Sequence, residues 1–218
     1  MAAKNPQVGR HSVADRFVHW SAALSIFALI FSGVGQMPMY KRYMVADLPG
    51  MAWTARYDVT LLIHYVAAAV LVGVAAYHVL FALRTRSLGL VPRRGDGKES
   101  LQIIGAMFSG KPEPPSGKFL AEQRLAYAFI AGAVGLLVVT GVLKVLKNLA
   151  GLDLPYGVLW WNTVLHNVGT GLIVFGIVAH LAAFLLKPNR PLVKSMFTGT
   201  VDEAYAHHRH PLWKAKRV

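Results

Sequence analysis

The 218-residue chain contains no cysteine. That absence excludes disulfides, thiolate-held iron–sulfur clusters and covalent c-type haem attachment within this polypeptide. Acidic residues are scarce as well: ten Asp and Glu stand against 23 Lys and Arg, a formal net charge of +13 at pH 7. Charge of either sign is missing altogether from four long stretches, Phe17 to Gln36, Val59 to Leu83, Leu125 to Leu143 and Val158 to Leu186. A helix of about 20 such residues crosses a hydrocarbon core about 30 Å thick.

What the chain does have is apolar surface, with hydrophobic residues at 55% and a mean hydropathy of +0.43. A basic soluble protein that binds nucleic acid spreads its charge over the folded surface. Here the charge is confined between apolar blocks, so nucleic acid is set aside as a partner. The expected fold is an all-α integral membrane protein, a four-transmembrane-helix bundle with spans at about 17–36, 59–83, 125–143 and 158–186, in one domain covering 1–218. All but five of the 23 basic residues fall in the N-terminal arm, the loop after the second span, the start of the third span and the tail. By the positive-inside bias both termini, the loop 84–121 and the tail 187–218 are cytoplasmic. Arg10 and Arg16 precede the first span and no small-residue cleavage site follows closely, which reads as a retained helix.

The middle loop holds Arg93-Arg94-Gly95-Asp96-Gly97-Lys98 and a Pro-rich run from Lys111 to Lys118, which argues against one continuous helix. Between them Leu101 to Phe108 fits a short interfacial helix. Trp20, Trp53, Trp160 and Trp161 lie near span ends, where indoles favour the headgroup region. The tail from Pro188 is polar and basic, which suits the cytoplasmic surface. There is no sign of a separate soluble domain.

The histidines carry the chemistry. His166 and His180 are fourteen residues apart on one apolar stretch, and so are His64 and His78 on another. On a helix, fourteen residues are roughly 21 Å, and the two side chains point within roughly 40° of each other. One imidazole then sits toward each membrane surface, the arrangement a two-haem electron wire needs. A lone intramembrane histidine is more often an interhelical hydrogen bond or a proton-relay member. That keeps a non-redox, proton-coupled transporter in view, and such a protein would hold no cofactor. The set of histidines favours haem. His64 and His166 both lie toward the periplasmic side and make an axial pair. His180 lies toward the cytoplasmic side, where His78 and His19 are both at suitable depth; spacing slightly favours His78. His207, His208 and His210 in the tail have metal-like spacing, yet no Cys or carboxylate arrangement completes a four-ligand site.

Local motifs point to a family. Ala14-Asp15-Arg16-Phe17-Val18-His19-Trp20 resembles the Asp-Arg-x-x-His-Trp start of the cytochrome b (gamma) subunits of membrane-bound formate dehydrogenases. The resemblance continues through Lys118 to Gln123, Val139-Thr140-Gly141-Val142, the His166/His180 helix, Gly199-Thr200-Val201 and Pro211-Leu212-Trp213. The dihaem b-type cytochromes of nickel–iron hydrogenases and thiosulfate reductases share this architecture.

The resemblance implies two haem b groups, with His64 and His166 as ligands of the periplasmic-side iron. His19 and His180 are implied for the cytoplasmic-side iron, leaving His78 as the alternative ligand that spacing offers. It also implies a bacterial inner-membrane location and a menaquinone or ubiquinone substrate near the cytoplasmic side. The implied partners are an iron–sulfur (beta) subunit and, through it, a molybdenum- or tungsten-containing catalytic subunit. This chain has no motif for such a cofactor, so the formate-oxidising site belongs to a partner. Leu120 stands where the family has Asn, and Glu122 and Gln123 remain beside it as candidate groups near the quinone. Gly169 and Gly171, close to His166, suit either a porphyrin face or helix–helix packing.

Overall fold

A computed structural model describes residues 5–218; residues 1–4 of the expected N-terminal arm lie outside them. In chain order the elements are β1 (Gln7–Gly9), α1 (Val13–Gly35), α2 (Pro38–Arg42), α3 (Tyr57–Thr85), α4 (Asp96–Ser109) and α5 (Ala121–Leu149). They are followed by α6 (Tyr156–Ala182), α7 (Arg190–Thr198), β2 (Thr200–Asp202) and α8 (Glu203–Arg209). α1, α3, α5 and α6, the last with a short extension to Leu185, are the four helices long and apolar enough to cross a membrane. The shortest has 23 residues, about 34 Å at 1.5 Å per residue. Their apolar side chains are largely exposed, as a surface solvated by lipid requires. The chain divides into two compact units, Ala14–Thr85 and a second made of the arm up to Val13 with Arg86–Val218.

The first unit holds α1, α3 and the loop between them. Asp58 in the first turn of α3 and Arg84 in its last turn complement the helix dipole. The loop closes on itself through Tyr40 Oη and Thr54 Oγ1, 2.7 Å apart and both buried. The Trp53 ring lies 5.8 Å from that of Phe31 near the end of α1.

In the second unit α5 and α6 run antiparallel and close together. Gly169 makes this possible: a Cβ there would lie 3.0 Å from Leu137 Cδ2. Gly176 faces Ile130 and Phe129 more tightly still. Gly169 therefore serves helix packing, whereas Gly171 has nothing within 4 Å. α5 begins at Ala121, four residues ahead of the charge-free run. The reason is Arg124, a charge the helix can bury because it is fully engaged. Its guanidinium donates to Asp96 Oδ1 and Oδ2 at 2.6 and 2.8 Å and to the Phe119 carbonyl at 2.7 Å. Gln123 Oε1 caps the same helix by accepting the Leu120 N–H at 3.1 Å.

α4 extends beyond the expected Leu101 to Phe108. Asp96 Oδ2 accepts the Arg93 N–H at 2.8 Å, and Gly95 and Gly110 take left-handed φ values of 94° and 68° at the two ends. The Arg124 guanidinium holds the Asp96 carboxyl down at about 2. One face of α4 buries Asp96, Ser100, Ile103 and Ala106, with Ile103 packed on Leu120 and Ala121. Leu101 and Phe108 remain exposed, the apolar face an interfacial helix presents to lipid.

The tail is more ordered than its polarity suggests. β2 pairs antiparallel with β1, Val8 opposite Val201, and Val8, Leu192, Val201 and Ala206 form a small core. A three-residue strand is too short for a period-two pattern, so this ribbon is a late addition to an all-α reading. Arg10 donates to the Lys118 carbonyl at 2.9 Å, and its guanidinium lies over the rings of Phe119 and Trp213 at 5.8 and 5.5 Å. Burial lowers its pKa to about 10. The Leu212 N–H reaches the Ser116 carbonyl at 3.1 Å. Arm, middle loop and tail thus form one cap, so they share one side of the membrane as four crossings demand.

Candidate functional site

Within the first unit, α1 and α3 meet at Ser32 and His64. The Ser32 hydroxyl has one proton, which it donates back to the Ala28 carbonyl at 2.7 Å. Its oxygen, 2.9 Å from His64 Nδ1, is left to accept. In the tautomer that donates from Nδ1 to this oxygen, Nε2 bears the lone pair that a metal takes. Gly33 lies against the same ring: a Cβ there would be 3.5 Å from His64 Cε1.

The second unit repeats the arrangement. Thr140 on α5 donates to the Leu136 carbonyl at 2.7 Å, and its Oγ1 lies 2.8 Å from Nδ1 of His166 on α6. A Cβ on Gly141 would be 3.6 Å from His166 Cε1. Asn162, one helical turn before His166, donates to the Thr140 carbonyl at 3.0 Å and is buried. Thr60 holds the matching place before His64, where its Cγ2 would lie 3.4 Å from a Cβ on Gly35. Both ring systems are half-buried.

These hydroxyls were not among the residues expected from sequence. A signal for them exists. Ser32-Gly33-Val34 and Thr140-Gly141-Val142 occur once in the first long helix of each pair; only the second lies in a motif of the family resemblance, and serine and threonine are too common in membrane helices to mark a role by themselves.

Of the other candidates, His19 and His78 belong to the first unit and His180 to the second. The His19 ring packs edge-to-face on Trp20 with centroids 5.2 Å apart. His180 packs likewise on Phe184 at 5.1 Å. His78 is half-buried on α3. Leu120 is fully buried against Ile103, and Gln123 is occupied in capping α5. Glu122 is different. Its Oε2 is buried and has no hydrogen-bond partner.

The tail histidines part company. His208 is exposed, and His207 Nε2 lies 3.7 Å from Glu203 Oε1. His210 is fully buried, and its Nδ1–H donates to the Gly117 carbonyl at 2.7 Å, the contact with the middle loop that a tail histidine can make. Burial, with Arg10 and Arg209 nearby, pushes its pKa down to about 4.

The donor chemistry at His64 and His166 suits haem iron. Each imidazole meets a buried hydroxyl at Nδ1, which leaves Nε2 as the nitrogen that would bind a metal. A family model described as prokaryotic cytochrome b561 matches residues 10–199. The cytochrome b556(Fdn) subunit of nitrate-inducible formate dehydrogenase from Escherichia coli (strain K12) is 22% identical over 218 residues, covering 97% of this chain and 92% of that protein. The subunit of the same description from Shigella flexneri shows the same identity and coverage.

Proposed function

This chain belongs to the prokaryotic cytochrome b561 family, and from that premise we propose that it is the dihaem membrane subunit of a respiratory formate dehydrogenase. At the family's level it is a multi-pass cytochrome b of the bacterial cytoplasmic membrane, a carrier of electrons that uses haem b. The finer reading connects an iron–sulfur subunit on the periplasmic side with a quinone near the cytoplasmic side. A molybdenum- or tungsten-containing subunit behind the iron–sulfur protein oxidises formate. The observation that carries the haem assignment is the paired hydroxyl-to-Nδ1 contact at His64 and His166. A proton relay would exchange protons on both ring nitrogens, whereas a hydroxyl that accepts from Nδ1 favours the tautomer that suits ligation.

His64 and His166 are assigned to one haem. His19 and His180 are assigned to the other, following the Asp-Arg-x-x-His-Trp motif over His78. Haem supplies a one-electron iron couple when bound. The hydroxyls of this chain would orient the imidazoles, and its charge-free spans would hold haem in a low dielectric. Carrying an electron inward costs about 2.3 kcal/mol per 100 mV of membrane potential, which is how the redox drop is conserved. Glu122, with its unsatisfied buried oxygen, is the group assigned to pass a proton toward the quinone.

Leu120, where the formate dehydrogenase pattern has Asn, favours one second reading, a cytochrome b serving a hydrogenase or a sulfur-compound reductase. Subunits that co-purify with the chain separate the two. Haem per polypeptide tests the ligand set. We expect two in the wild type, one in His64→Ala, His166→Ala, His19→Ala and His180→Ala, and two in His78→Ala. A wild type without haem would end the cytochrome reading. One haem in His78→Ala with two in His19→Ala would reverse the inner ligand.

A further inference from the structure

We infer that Ser32 and Thr140 are the positioning residues of the haem held by His64 and His166, fixing the tautomer, plane and basicity of both axial imidazoles. The inference rests on the ligand assignment above and adds what sets the properties of that iron. Each hydroxyl spends its proton on the carbonyl four residues earlier, Ala28 for Ser32 and Leu136 for Thr140, at 2.7 Å in both cases. With its proton placed there, each oxygen can accept from the imidazole it faces, at 2.9 and 2.8 Å. Both hydroxyls are almost fully buried, Ser32 at 0% and Thr140 at 3% exposure, so water does not compete for the bond. The glycine after each, Gly33 and Gly141, brings the backbone close to the ring edge, where a Cβ would lie 3.5 and 3.6 Å from His64 Cε1 and His166 Cε1.

Accepting the Nδ1 proton makes a ligand imidazole more electron-rich, which favours the ferric state. A hydroxyl does this less than a carboxylate, because it carries no full charge. The pair therefore gives this haem a moderately lowered potential and two rings of defined orientation. Asn162 supports the device on one side by holding the Thr140 carbonyl, which keeps that stretch of α5 in register with α6.

The test compares Ser32→Ala and Thr140→Val with Ser32→Thr and Thr140→Ser, each purified with haem bound. The readouts are haem per polypeptide, electron paramagnetic resonance of the low-spin ferric haems, and potentiometric titration. In the Ala and Val variants we expect one of the two haems to shift its g values. Its potential should rise by up to about 59 mV, the equivalent of a tenfold change in the ferric-to-ferrous preference, with the other haem unmoved. Weaker retention of that haem, on the order of 10-fold or more, is the same effect read as affinity. Ser32→Thr and Thr140→Ser keep the hydroxyl and should restore both readouts. Unchanged spectra and potential in Ser32→Ala and Thr140→Val, with full haem, would overturn the inference. So would equal disturbance in the hydroxyl-keeping variants, including failure to accumulate, because that outcome marks a packing role. His64→Ala and His166→Ala separate the two levels: if either keeps two haems, the ligand assignment has failed, not merely the positioning.

Discussion

A histidine inside a membrane protein is defined by the group that holds its Nδ1 proton, and three histidines here show it. At His64 and His166 a buried hydroxyl lies against Nδ1; at His210 a backbone carbonyl takes the Nδ1 proton. His210 lies in the cap, where its titration can be read as stability. Its pKa falls from the usual 6.5 to about 4 in the folded state, because burial and the nearby Arg10 disfavour the imidazolium. The unfolded chain therefore binds more protons between these two values. Stability contributed by His210 is complete above about pH 6.5 and is lost as pH falls toward 4, by roughly 3 kcal/mol at most. Thermal unfolding from pH 7 to 4 should show this as a steeper loss in the wild type than in His210→Gln. Parallel curves would mean that the cap opens before the histidine titrates.

At the scale of elements, contact between α5 and α6 depends on glycine. Gly176 faces the side chains of Ile130 and Phe129 with no room for a methyl group, while Gly171 on the same helix faces open space. Gly176→Ala should destabilise the purified protein by about 1–3 kcal/mol through overpacking. Gly171→Ala should cost nothing, since alanine is the better helix former by about 1 kcal/mol. Melting temperatures in one detergent check the pair, and equal behaviour would show that the seam relaxes. The start of α5 teaches a related point. Counting charge-free residues begins the span at Leu125, yet the helix starts at Ala121 because Asp96 neutralises Arg124. The carboxylate that permits this lies 28 residues earlier on α4, beyond the reach of any local pattern.

For the whole molecule the lack of cysteine becomes an experimental asset. Lys98 on α4 and Lys214 in the tail are exposed on the cap, whereas Tyr43 and Asp153 are exposed on the loops at the opposite helix ends. Lys98→Cys and Lys214→Cys should react with a membrane-impermeant maleimide only from the cytoplasmic face. Tyr43→Cys and Asp153→Cys should react only from the periplasmic face. Any pair labelled from the wrong side would break the four-crossing topology. That topology was legible without coordinates, because charge cannot enter hydrocarbon and four blocks are free of it. The fourteen-residue spacing of His64, His78, His166 and His180 was legible for the same reason, since helical periodicity is local. The sequence alone thus determined the membrane class, the number of crossings and the histidines worth testing. Only the tertiary structure decided which hydroxyls meet Nδ1 of His64 and His166, what Gly169 and Gly176 pack against, and that the arm, middle loop and tail close into one cap. Those are contacts between residues 26 or more positions apart, and a one-dimensional pattern records which residues are present but not which ones the folded chain brings together.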